Sequence, residues 1–151
     1  MPLIPLQDQE VIRSKFEQEL KGDIRIVHFT ERESPLVVPG REQCLYCRET
    51  RQLLEEVTGL SAKLHLEVYD IQEDKGKAEE HGIDMVPATV LLNGHGGRLR
   101  YFGIPSGYEF ATLIEDIVDV SAGQGALAPG TRDELAKIDQ DVHIQVFVTP
   151  T

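Results

Sequence analysis

No apolar run in the sequence approaches the length of a membrane-spanning helix, and the opening residues Met1, Pro2, Leu3 and Ile4 have no cationic flank ahead of them. The chain therefore reads as soluble, without a spanning segment or a secretory signal, and the cytoplasm is the expected setting. Basic charge is also scarce. Fifteen Lys and Arg stand against twenty-six Asp and Glu, for a net charge of -11, and the cations are scattered without a patch. Such a surface repels nucleic acid and anionic lipid, so neither nucleic acid nor a membrane is expected as a partner. The five histidines include no H-x₃₋₅-H pair that would complete a tetrahedral zinc site, and no metal is expected. Cysteine is scarcest of all. Only Cys44 and Cys47 are present, with Leu45 and Tyr46 between them. A disulfide stabilises mainly by closing a long loop in the unfolded chain, and this loop is nearly as short as loops come. Something other than stability must account for the pair.

What is present is the material of one ordinary folded domain: 151 residues, 40% hydrophobic and 27% charged. Val11, Ile12, Phe16 and Leu20 recur at helical spacing over residues 8–20, and Gly22 follows as a stop. Residues 23–30 read as a central strand, since Ile24, Ile26, Val27 and Phe29 leave little room for a solvated face. Pro35, Pro39 and Gly40 punctuate residues 31–43, which argues for a loop that delivers the chain to Cys44. Leu53, Leu54 and Val57 then mark the buried side of a helix over residues 45–58, with Gly59 as its terminator. Residues 64–70 alternate apolar with polar, as a half-buried strand does. Residues 74–81 form a short polar helix closed by Gly82. A strand over residues 88–93 meets another over residues 98–102 across a Gly-rich turn, a hairpin signature. Phe110, Leu113, Ile114, Ile117 and Val118 define a stripe on a helix over residues 107–120. The order α-β-α-β-α-β-β-α suits helices packed on both faces of one mixed sheet. After a Gly- and Ala-rich stretch, Thr131 can cap a further short helix through Ala136 and Ile138, and residues 142–148 carry the β-branched pattern of a strand. Val27 to Thr30 resembles Val146 to Thr149 as a weak internal repeat.

The dithiol sits at a helix start, and that position has chemical consequences. A thiol must be a thiolate to attack a disulfide, and a free cysteine with a pKa of about 8.5 is mostly protonated at neutral pH. Unpaired N–H groups and the positive end of the helix dipole favour an anion there, so Cys44 is expected to be the more acidic thiol and Cys47, one turn further in, the shielded one. Arg41 and Arg48 add cationic stabilisation that Glu42 and Glu49 oppose. In an α/β context, C-x-x-C is a fairly specific redox signal.

Strand, loop, C-L-Y-C on a helix start and M-V-P-A-T-V before a hairpin together resemble the thioredoxin superfamily. The longer match resembles the first unit of the two-unit, glutaredoxin-like protein disulfide oxidoreductases of archaea and thermophilic bacteria. It runs through R-Y-F-G-I-P-S-G-Y-E-F-A-T-L-I-E-D-I-V-D-V-S to I-D-Q-D-V-H-I-Q-V-F-V-T-P-T, which resembles the opening of the second unit. The resemblance implies an α/β thioredoxin-like fold: a central mixed four-stranded sheet, helices on both faces, and an extra C-terminal helix and strand. It implies a unit over residues 1–121, a linker over 122–130 and the start of an incomplete second unit over 131–151.

By the same resemblance, Cys44 is the nucleophile, Cys47 the resolving thiol and Pro87 a cis-proline facing them. The backbone of Val86 is then free to pair with an extended substrate. His28 takes the place where thioredoxins carry a buried acid that receives the resolving thiol's proton. It is read either as that proton acceptor or as a hydrogen-bonded core residue. Tyr46 lies where glutaredoxins have a substrate-binding tyrosine, but Leu45 replaces their usual proline, which argues against glutathione use. Leu36, Val37 and Val38 either form an apolar rim for unfolded chains or for a thioredoxin-reductase-like enzyme, or pack on the core. No cofactor is implied. The expected function is thiol–disulfide exchange with protein substrates. The alternative is a non-catalytic binding module that docks a partner through the loop before the dithiol. Residues 142–148 are expected to pair with a sheet edge, most simply in a second copy, giving a homodimer.

Overall fold

The computed structural model describes residues 1–32, 43–94, 98–123, 125 and 127–147. Nine elements follow one another: α1 (Leu6–Glu19), β1 (Ile24–Thr30), α2 (Cys47–Thr58), β2 (Leu64–Asp70), α3 (Lys75–His81), β3 (Ala88–Leu92), β4 (Arg98–Phe102), α4 (Tyr108–Ala122) and α5 (Pro129–Leu135). The sheet order is β2-β1-β3-β4. β1 runs parallel to β2 and antiparallel to β3, and β3 to β4 is antiparallel. This is the mixed four-stranded sheet with helices on both faces that the element order implied. No helix among the described residues is long and apolar enough to cross a membrane.

Side chains of a strand alternate between faces, and β1 places large apolar groups on both. Ile24 and Ile26 join Leu91 in a core closed by Ile12 and Phe16 of α1, Leu53, Leu54 and Val57 of α2, and Leu113 and Ile117 of α4. Val27, Phe29, Ala88 and Val90 form the opposite core with Ala78 of α3 and Ile83. By the same alternation His28 follows Ile26 onto the α2 face, and its register partner Thr89 follows Leu91 there. The N-terminal segment is pinned to that face as well. The Glu56 carboxylate accepts hydrogen bonds from the N–H groups of Leu3 and Ile4 at 2.9 to 3.0 Å, which seats Ile4 in the core.

The structure corrects several expectations. Val11 is exposed, because it lies about 100° around α1 from Ile12 and so falls off the stripe that Ile12, Phe16 and Leu20 bury. α2 begins at Cys47 rather than Leu45, with Tyr46 as its N-cap. Gly59 ends that helix with φ -65, whereas Gly82 (φ 66) adopts the left-handed turn that closes α3. The last helix starts at Pro129, whose missing N–H and fixed φ suit the first helical position, so Thr131 lies inside it rather than capping it. The expected closing strand is not formed over residues 142–147. Val142, Ile144, Val146 and Phe147 are exposed and unladdered, and Phe147 is 89% accessible. β-Propensity becomes a strand only against a partner edge, and the described residues supply none to this segment. Val148 lies outside the described residues, as do residues 95–97 of the hairpin turn.

Candidate functional site

Cys44 and Cys47 are joined in a disulfide, with Sγ–Sγ 2.00 Å and Cα–Cα 5.6 Å. Cys47 is the first residue of α2 and is 3% accessible, while Cys44 lies just ahead of the helix and is partly exposed. The difference follows from the local chain. The Tyr46 carbonyl accepts both the N–H of Thr50 at 2.9 Å and its hydroxyl at 2.6 Å, which turns the chain into the helix and tucks Cys47 inward. Leu45 and the Tyr46 ring are left facing solvent. Arg48 pairs with Glu49 at 3.0 Å, so its charge is shared with a neighbour instead of directed at the dithiol alone. The Glu49 carboxyl is held below its usual range first by its own backbone N–H in the first helical turn and then by Arg48.

His28 lies beneath this turn and is fully buried. Its Nδ1 is 3.0 Å from the Ala88 carbonyl, which can only accept, so Nδ1 carries the proton and donates it. Burial pushes the ring's pKa down to about 4. The Ala88 carbonyl and the Cys47 backbone oppose that shift, as does Glu55, while Arg51 adds to it. The ring is therefore neutral at pH 7, and its Nε2 offers an open lone pair. Among the described residues no side chain or backbone group completes a hydrogen bond to Nε2.

The Val86-Pro87 peptide is cis, and Pro87 immediately precedes Ala88, the first residue of β3. The Pro87 carbonyl accepts the Gly103 N–H at 2.8 Å, which ties this turn to the end of β4. His28 thus connects the two parts that sequence separates: Ala88 next to Pro87 on one side, the Cys47 turn on the other. Leu36, Val37, Val38 and Arg41 lie outside the described residues, so the expected apolar rim does too. Among the described residues no three His, Cys, Asp or Glu side chains are grouped to hold a metal.

Sequence reasoning missed Thr89 and Thr50. Thr89 is fully buried, stands directly opposite His28, and its Oγ1 also lacks a hydrogen-bond partner among the described residues. The strand register was the signal that would have found it: once β1 and β3 are paired antiparallel, a residue two beyond Pro87 must share a face with His28. It also missed Met85 and Phe102, exposed apolar residues beside Pro87 and Gly103 respectively.

Among curated proteins, none matches the chain in sequence. Several solved structures match in fold. A protein disulfide oxidoreductase from Aeropyrum pernix superposes with a TM-score of 0.72 at 23% identity, over 88% of this chain and 54% of that one. The alkylhydroperoxide reductase AhpF of Enterococcus faecalis gives 0.72 at 20% identity, over 89% of this chain and 60% of that one. A separate structure of the N-terminal domain of that reductase gives 0.71 at 21%, over 87% of this chain and 59% of that one. The chain thus spans little more than half the length of the structures it resembles. The family model described as thioredoxin domain matches residues 37–115, more than half of the 151 residues and including both cysteines and the cis-proline. The chain belongs to the thioredoxin domain family.

Proposed function

We propose that this chain is a thiol–disulfide oxidoreductase unit that exchanges disulfides with protein substrates through Cys44 and Cys47. The observation that carries the reading is the unequal burial of two linked sulfurs at one helix start: Cys44 open to a partner, Cys47 closed to it. In the reducing direction the Cys44 thiolate attacks a substrate disulfide, and Cys47 then attacks the mixed disulfide and releases the substrate as a dithiol. The backbone of Val86, ahead of Pro87, pairs with the extended substrate. Tyr46, Leu45, Met85 and Phe102 supply apolar contacts around it.

His28 receives the proton of Cys47. The backbones of Ala88 and Cys47 favour a protonated ring, and desolvation, with Arg51, opposes it. Moving a proton from a thiol of pKa about 8.5 to a base of pKa about 4 costs roughly 6 kcal/mol if the charges separate fully. Attraction between the buried thiolate and imidazolium offsets part of that cost. A cytoplasmic setting, where thiols are kept reduced, favours the reducing direction, with a thioredoxin-reductase-like enzyme as the source of electrons. Pairing of residues 142–148 with the sheet edge of a second copy belongs to the same reading. The exposed Val142, Ile144 and Val146 support it by keeping that segment available.

Trapping tests the proposal. Cys47→Ser keeps the attack and loses the resolution, so non-reducing gels of cell extract should show mixed disulfides through Cys44. If only Cys44→Ser protein traps partners, the roles are reversed.

A further inference from the structure

β4 stands at one edge of the sheet, with β3 on its inner side. Thr89 is opposite Tyr101 and Leu91 opposite Leu99, and two residues further along the Gly103 N–H donates to the Pro87 carbonyl. Hydrogen-bonded pairs recur every second residue in an antiparallel ladder, so the N–H and C=O groups of Leu99 and Tyr101 face β3. Those of Arg98, Arg100 and Phe102 face outward. An outward row of backbone groups is a template for one more strand. The side chains of β4 alternate as well. Leu99 and Tyr101 share the face of Leu91, and Arg98, Arg100 and Phe102 share the face of Val90. Among the described residues neither guanidinium pairs with a carboxylate, although the chain has a net charge of -11; Arg100 donates to the Gly82 carbonyl at 3.0 Å.

The segment after α5 carries the complementary pattern. Val142, Ile144 and Val146 occupy even positions, Asp139, Asp141 and Phe147 occupy odd ones, and all are exposed. Both β4 and the segment run from charge to aromatic, so they match in the parallel direction. With Asp141 opposite Arg98, Val142 and Ile144 fall beside Leu99 and Tyr101, and Phe147 lies diagonal to Phe102, within reach of an aromatic ring. The other sheet edge carries the wrong sign. On β2, the same placement of the apolar residues beside Leu66 sets the aspartates on the face of Glu67, a carboxylate already paired with Arg25. The segment forms no ladder with the β4 of its own chain, which leaves that edge to another copy.

We infer that the outer edge of β4 is the docking site for residues 139–147 of a second copy, selected by the charge of Arg98 and Arg100. In a two-fold pair each copy gives its segment and receives the other's, so both edges are covered. Phe102 is opposite Ala88, next to the cis-proline, so the second copy's Phe147 joins the apolar surroundings of the substrate site. The inference rests on the pairing of two copies proposed above and does not depend on the exchange activity.

Two doubly reversed chains test it: Arg98→Glu with Arg100→Glu, and Asp139→Arg with Asp141→Arg. Sedimentation equilibrium should show each alone dimerising at least about tenfold more weakly than the wild type, because cross-strand attraction becomes repulsion. An equimolar mixture should recover wild-type affinity, since every edge then meets a segment of opposite charge. Hydrogen exchange by NMR should find the N–H groups of Arg98, Arg100 and Phe102 protected in the wild-type dimer and open in either variant. A wild-type dimer with those amides open overturns the β4 site even where a variant proves unfolded, and so does a mixture as weak as its components. A wild-type dimer indifferent to both reversals overturns the site and leaves pairing at another edge. A monomeric wild type removes the pairing and this inference together, while insulin reduction still decides the exchange activity.

Discussion

At the residue scale, His28 makes the most exacting demands on its surroundings. Its folded pKa of about 4 lies below the value of about 6.5 expected in the unfolded chain, so between those limits the unfolded state binds more protons. Stability is therefore complete above about pH 6.5 and falls as pH drops toward 4, by up to roughly 3 kcal/mol from this group. Denaturant unfolding of the oxidised protein at pH 7 and pH 4.5 should show this loss in the wild type and a clearly smaller one in His28→Leu. Equal losses would mean that the ring is not the group responsible. At the same scale, brief iodoacetamide treatment of reduced protein should alkylate Cys44 well ahead of Cys47, because Cys47 is 3% accessible and Cys44 is partly exposed. Peptide mapping by mass spectrometry reads the ratio, and equal labelling would remove the basis for assigning the two roles.

At the scale of elements, the link between the N-terminal segment and α2 is the least expected feature of the fold. Burial opposes charge on Glu56, but the N–H groups of Leu3 and Ile4 outweigh it and hold the carboxyl below its usual range. Glu56→Gln should destabilise the protein by about 1–2 kcal/mol at neutral pH, and the wild-type advantage should fade as pH falls through the carboxylate range. Thermal unfolding at pH 7 and pH 4 checks both parts. No spacing rule links a glutamate in one helix to the amides of residues some fifty positions earlier, so this contact was not legible in the sequence. What was legible depended on period. β1, α2 and α4 were read from their apolar residues because the apolar pattern and the packing demand agree in them. α1 was read correctly as a helix but with Val11 on the wrong side, since a pattern of adjacent apolar residues does not say which of them the core takes. Cys44, Cys47 and Pro87 stood out as motifs. Thr89 did not, because an alcohol in an apolar strand gains meaning only from the residue opposite it.

At the scale of the whole molecule, residues 1–122 hold both cores, and residues 129–147 add none of their own. α5 buries no residue, and the segment after it is exposed along its described length. Ending the chain at Gly123 should change the unfolding free energy of the body by less than about 1 kcal/mol, as expected for a segment with no buried surface. Light scattering of both versions reads the proposed pairing: the full chain should run as a dimer and the shortened one as a monomer, and two monomers would dismiss the tail as an interface. Within the single chain no strand forms over residues 142–147, because strand propensity is local whereas a ladder needs an edge elsewhere.

The most direct test of the proposed chemistry is turbidimetric reduction of insulin by dithiothreitol. Catalytic amounts of the wild type should shorten the lag before precipitation, and Cys44→Ser should show the uncatalysed time course. A wild type indistinguishable from the Cys44→Ser protein, with both folded, would contradict the oxidoreductase reading and leave a thioredoxin domain that binds without exchanging disulfides.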